Sequence, residues 1–135
     1  MKPVLLDTDI LSYFLRGDPS VKARVAEYLN EYPRLNYSIF THYEILSGLR
    51  YRDAKNQLET FREFARLNQM ILFSAESVEI AAEIYATLRS QETIIDDIDI
   101  LIASIALEHE YTLATNNTSH FDPIPDLTLE NWTQP

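Results

Sequence analysis

Residues 4–12 read Val4-Leu5-Leu6-Asp7-Thr8-Asp9-Ile10-Leu11-Ser12. The apolar run at 4–6 predicts a short buried strand that ends at Asp7. Residues 9–16 then predict a helix, which Gly17-Asp18-Pro19 brings to an end. A strand followed at once by a helix is the repeating unit of an α/β protein.

The same alternation continues through the chain. Further strands are predicted at 35–40, 70–73, 112–115 and 127–129. Further helices are predicted at 20–32, 41–51, 53–67, 97–109 and 76–89, the last capped by Ser74. This order predicts an α/β/α sandwich with a central, mostly parallel sheet. The 135 residues fit one core, so we expect a single domain over residues 1–135.

Composition excludes several kinds of protein. The chain has no cysteine, which rules out disulfides, thiolate catalysis and cysteine-based zinc sites. No apolar stretch approaches the roughly 20 residues of a membrane span, and the N-terminus lacks the features of a signal peptide. We therefore expect a cytoplasmic protein without a membrane partner.

The net charge of −10 alone argues against a nucleic-acid binder. Its distribution changes that conclusion, because nine of the 11 Lys and Arg residues lie between Arg16 and Arg66. Residues 91–135 hold nine acids and no Lys or Arg. One face can therefore be basic while an acidic site that binds cations lies elsewhere.

Acidic side chains stand at the ends of strands and at the starts of helices. Asp7 ends the first strand, Glu44 lies near the start of a helix, and Asp99 precedes Ile100-Leu101-Ile102-Ala103. Such positions converge at one edge of a parallel sheet, where carboxylates suit Mg²⁺ or Mn²⁺. Asp96 and Asp97 are possible auxiliaries to Asp99.

Each acid also has a structural explanation. Asp7 could be a helix N-cap, and Thr41 with Glu44 matches a capping box. The acids at 96–99 suit a helix dipole. Thr115-Asn116-Asn117 could be a plain turn or could add oxygen ligands.

Four segments together resemble the motifs of PIN-domain ribonucleases of the VapC toxin type. They are Val4–Ser12, Ser38–Gly48, Asp99–Ala106 and Leu113–Phe121, followed by a typical tail at 124–132. The resemblance covers residues 4–132 in order. Departures are Asp9 where Asn is usual, Asn117 where many PIN domains have a fourth acid, and Asp96 where Gly is frequent.

The resemblance implies a metal-dependent endoribonuclease, the toxin of a type II toxin–antitoxin system. Asp7, Glu44 and Asp99 would be catalytic metal-binding acids, joined at the metal by Asp96 and Asn117. Thr8 and Thr115 would be polar supports. The cofactor would be Mg²⁺, with Mn²⁺ as a substitute that activates water for attack on phosphorus.

The implied partners are an RNA and a VapB-type antitoxin. A structured RNA such as tRNA or rRNA is the expected substrate. Basic side chains that could contact its backbone, or could simply be solvated, are Arg16, Arg50, Arg52 and Lys55. The family suggests a homodimer that forms a hetero-oligomer with the antitoxin. The alternatives are a non-catalytic docking module and a housekeeping RNA-processing nuclease without an antitoxin.

Overall fold

Residues 2–135, which the computed structural model describes, form five strands and seven helices. The strands are β1 (Val4–Leu6), β2 (Asn36–Ser38), β3 (Gln69–Ile71), β4 (Thr112–Ala114) and β5 (Leu129–Glu130). The helices are α1 (Thr8–Leu15), α2 (Pro19–Leu29), α3 (Ile39–Tyr51), α4 (Lys55–Leu67), α5 (Ala75–Ser90), α6 (Asp97–Glu108) and α7 (Thr118–Phe121). None of these helices is long and apolar enough to cross a membrane.

The five strands form one sheet in the order β3-β2-β1-β4-β5, and every pairing is parallel. The predicted α/β fold is therefore confirmed. The carboxyl ends of β2, β1 and β4 lie side by side in this order. Any side chains just after these strands are brought to one edge.

A hydrophobic core lies on each face of the sheet. Successive residues of β1 alternate between them: Val4 and Leu6 pack with α1 to α4, while Leu5 packs with α5 and α6. This alternation follows from the two-residue period of a strand. All three residues are buried, as expected for a parallel sheet covered by helices on both faces.

Several boundaries differ from those predicted. The strand predicted at 35–40 ends at Ser38, because the Ser38 side chain accepts a hydrogen bond from the Thr41 amide and starts α3 at Ile39. The capping box predicted for Thr41 and Glu44 is therefore wrong. The last strand lies at Leu129–Glu130 rather than at 127–129. The short helix α7 was not predicted, since four residues are too few to show a period.

Candidate active site

Asp7 occupies the carboxyl end of β1 and is the N-cap of α1. Its Oδ1 accepts a hydrogen bond from the Thr8 amide at 2.8 Å, and its Oδ2 accepts one from Thr115 Oγ1 at 2.8 Å. The residue is 6% exposed. The Asp7 carboxylate thus caps α1 and also lies at the edge of the sheet.

The surroundings of Asp7 favour its neutral form unless a cation is present. Burial, together with the nearby charges of Asp9 and Asp99, raises the pKa of Asp7 from 3.8 to about 7, against the lowering effect of the hydrogen bonds from Thr115 and Thr8. A buried carboxylate beside other carboxylates is costly to ionise. A bound cation would remove that cost, which makes this a suitable place for one.

Asp9, two residues further on, faces the same region. Its Oδ1 accepts a hydrogen bond from the Ile10 amide at 2.7 Å, and its Oδ2 accepts one from the Asn116 amide at 3.0 Å. Burial raises its pKa as well. Asp9 therefore ties the start of α1 to the loop after β4. Its role could not be seen in the sequence, where it stood only as a departure from the family pattern.

Glu44 reaches the site from the second turn of α3. Its Oε1 accepts a hydrogen bond from Thr8 Oγ1 at 2.6 Å. Thr8 Oγ1 also lies 2.9 Å from Thr41 Oγ1, which belongs to the buried start of α3. Thr8, which directly follows Asp7 in the chain, thus links the Glu44 carboxylate to the carboxyl end of β1.

Asp99 lies in the first turn of α6 and pairs with a histidine. The Nε2 of His120, from α7, is 2.9 Å from Asp99 Oδ2. Burial raises the pKa of Asp99, although the hydrogen bond and charge of His120 oppose that rise. No histidine was assigned to the site from the sequence. The only available signal was the position of His120 within the fourth motif, directly before Phe121.

Asp96 and Asn117 stand at the margin of this group. Asp96 is the exposed N-cap of α6, makes no side-chain capping bond, and lies near enough to raise the pKa of Asp99. Asn117 is the exposed N-cap of α7, and its backbone amide donates to Thr115 Oγ1 at 3.0 Å.

The donor set suits a divalent cation in its chemistry. Carboxylate and hydroxyl oxygens are the ligands preferred by Mg²⁺ and Mn²⁺, and the burial that raises the pKa of Asp7 favours a cation beside its ionised form. In residues 2–135, however, no three Asp, Glu or His side chains are grouped closely enough to hold one ion as they stand. Hydrogen bonds from backbone and side-chain groups of the protein hold the carboxylates instead.

A groove of about 220 Å³ runs from Thr8 and Glu44 between α1, α3 and α4. Its lining includes apolar side chains, Leu15, Ile45 and Leu49, and two of the predicted basic residues, Arg16 and Arg52. The guanidinium of Arg16 stacks 5.0 Å from the centre of the Tyr13 ring. The other two predicted basic residues, Arg50 and Lys55, are exposed but do not line the groove.

Comparison with known proteins identifies the family. Residues 4–126 match the PIN domain. The chain is 31% identical to Ribonuclease VapC19 from Mycobacterium tuberculosis over 123 residues, which are 91% of this chain and 95% of the relative. It is 32% identical to Ribonuclease VapC2 from Rickettsia felis over 129 residues, 95% of this chain and 96% of that one.

Solved structures agree with the sequence matches. The crystal structure of VapBC2 from Rickettsia felis, bound to a DNA fragment from its promoter, contains a chain that matches with a TM-score of 0.86 and 29% identity. The match covers 96% of this chain and 98% of the other. The FitAcB structure from Neisseria gonorrhoeae matches with a TM-score of 0.84 and 26% identity, over 98% and 99% of the two chains. The resemblance seen in the four motifs is thereby confirmed, and the chain belongs to the PIN-domain family and, within it, to the VapC group.

Proposed function

We propose that this chain is a Mg²⁺- or Mn²⁺-dependent endoribonuclease and the toxin of a type II toxin–antitoxin system. The observation that carries the proposal is the buried Asp7 carboxylate, whose pKa of about 7 reflects burial and the proximity of Asp9 and Asp99. Membership of the VapC group supports the choice of RNA as substrate. A structured RNA, such as tRNA or rRNA, is the proposed target.

Asp7, Glu44 and Asp99 would hold the ion, with Asp96 and Asn117 at its margin. The ion would supply a water of lowered pKa and would offset charge on the phosphate that is attacked. Thr8 and Thr115 donate to Glu44 and Asp7 and so keep these carboxylates in place. The RNA bases that flank the cleaved bond would lie beyond these metal-binding residues, near the exposed loop that follows β4.

Asp99→Asn should abolish RNA cleavage, because an amide removes the negative charge that would face the ion. Cleavage of tRNA and rRNA is measured with Mg²⁺, with Mn²⁺ and with EDTA, and we expect a loss of at least about 100-fold in the variant. Asp97→Asn is the matched control, since Asp97 lies in the same helical turn but borders a separate apolar depression with Val78 and Tyr85. Cleavage retained in a folded Asp99→Asn variant would refute the role of Asp99, whereas no cleavage by the wild type with either metal would favour the non-catalytic docking module.

Arg16 and Arg52 are the proposed contacts to the RNA backbone, because both border the groove that begins at Glu44. Arg50 and Lys55 remain weaker candidates, since they lie away from it. Contacts to phosphates release counterions, so RNA binding should weaken steeply as salt is raised.

We further propose that the groove between α1, α3 and α4 receives an apolar segment of a VapB-type antitoxin. Its floor is apolar, and its end at Glu44 and Thr8 is acidic and polar. A basic side chain from the antitoxin could pair with the acids there. A homodimer also stays a prediction, for which the exposed Tyr43 and Leu72 offer an apolar surface.

Gly48→Phe should block the antitoxin without unfolding the protein. Gly48 lines the groove within α3, and an added Cβ would meet only the flexible end of Arg52, at 3.4 Å. The ring would therefore fill the groove. Co-purification with a co-expressed VapB-type antitoxin should fall at least about tenfold. Gly48→Ala is the control: it leaves the groove open and should raise the free energy of unfolding by about 0.5–1 kcal/mol. Undiminished co-purification of the Phe variant would place the antitoxin elsewhere.

A further inference from the structure

Each proposed metal-binding acid is held by one side-chain donor from another part of the chain. The pairs are Thr115 with Asp7 at 2.8 Å, Thr8 with Glu44 at 2.6 Å, and His120 with Asp99 at 2.9 Å. Thr8 and Thr115 are the residues that the family resemblance proposes as polar supports. The histidine completes the set, although nothing in the sequence assigned it to the site.

The surrounding structure fixes His120 in place. Its neighbour Phe121 is 1% exposed and packs in the core beside α6. The His120 ring meets the Phe121 ring edge to face at 5.5 Å, and its backbone amide donates to the Asn117 carbonyl. The loop from β4 to α7 therefore places Thr115 against Asp7 and His120 against Asp99 at the same time.

We propose that His120 is a positioning residue for Asp99, an inference that rests on the proposed metal-dependent function. Its ring N–H donates to Oδ2, which would fix the carboxylate and leave Oδ1 available to hold the ion. Among residues 2–135, no hydrogen bond reaches Oδ1 of Asp99. Hydrogen bonds to a ligating carboxylate fix its orientation, and losing one typically weakens metal binding.

The chain supplies a matched control in a second histidine–carboxylate pair. His109 Nε2 lies 3.2 Å from Glu108 Oε2 at the opposite end of α6. Nine residues separate Glu108 from Asp99, which is about 13 Å along a helix. Removing the His109 side chain tests for a general effect of losing a surface histidine.

The experiment measures Mn²⁺ affinity by electron paramagnetic resonance, without RNA, in the wild type and in three variants: His120→Ala, His120→Gln and His109→Ala. We expect His120→Ala to weaken Mn²⁺ binding about 10- to 100-fold. His120→Gln should recover most of the affinity, because its amide N–H can donate from the position of Nε2. His109→Ala should bind as the wild type does, and thermal melts check that all variants are folded.

The outcomes separate this inference from the proposed function. Equal Mn²⁺ affinity in the wild type and His120→Ala would overturn the positioning role while leaving the nuclease proposal intact. A Gln variant as weak as the Ala variant would overturn the role of the donated hydrogen bond. Absence of Mn²⁺ binding in the wild type would overturn both proposals.

Discussion

Asp7→Asn is expected to abolish RNA cleavage and, in the absence of metal, to stabilise the protein at pH 8. The pKa of Asp7 rises from 3.8 to about 7 on folding. The folded state therefore holds this proton more tightly than the unfolded state. The resulting stability is fully present below pH 4 and is lost as the pH rises through 7. At pH 8 the loss is up to about 4 kcal/mol, from about 1.4 kcal/mol for each pKa unit.

Thermal unfolding in EDTA at pH 5 and pH 8 tests this expectation. At pH 8 the Asp7→Asn variant should melt several degrees above the wild type, and the difference should shrink at pH 5. Saturating Mg²⁺ should raise the melting temperature of the wild type but not that of the variant. Asp97→Asn, at an exposed acid, serves as the control. A difference that is independent of pH would show that the buried charge is not the cause.

Trp132→Ala should destabilise the protein by about 3–5 kcal/mol, as large-to-small changes of buried aromatic residues do. Trp132 is fully buried, its ring lies 5.7 Å from that of Tyr28, and its indole N–H donates to Glu130 at 3.0 Å. The Tyr28 hydroxyl in turn accepts a hydrogen bond from the amide of Val4, the first residue of β1. Such a loss is a large part of the roughly 5–15 kcal/mol that stabilises a typical domain.

Urea unfolding measures the effect of Trp132→Ala, and Trp132→Phe is its control because it keeps an aromatic ring while losing the indole N–H and part of the ring volume. We expect the Phe variant to lose less than half as much stability as the Ala variant. The geometry of the candidate active site should change as well. Asn131 and Thr133, which flank Trp132 in the chain, donate hydrogen bonds to the Asn116 side chain. A change below about 1 kcal/mol in the Ala variant would mean that the tail does not contribute to the core.

The sequence was sufficient to predict the fold because its local signals agree with the tertiary structure. Short apolar runs such as residues 4–6 and 112–114 are buried strands, and the segments between them are helices. Ser74 caps α5 as predicted. The start of α3 was missed, because Ile39 and Phe40 resemble a strand and only the Ser38 hydrogen bond shows that a helix has begun.

The order of strands and helices in the sequence was enough to predict that the acids lie at one edge of the sheet. It was not enough to predict which side chains form hydrogen bonds with them. Asp7 lies far along the chain from Thr115, and Glu44 lies far from Thr8. Such pairs depend on how strands and helices pack rather than on local pattern. His120 was missed for the same reason, since α7 is too short to reveal which way its side chains point.

β1 and β4 lie side by side in the middle of the sheet, with Val4 paired to Thr112, although nearly the whole chain separates them. A ribosome therefore reaches Thr115 only 108 residues after Asp7, and His120 later still. Until then the growing chain carries Asp7 and Glu44 without the full set of groups that hold the site together. We expect the proposed nuclease to be inactive in a nascent chain that has not yet been extended through His120.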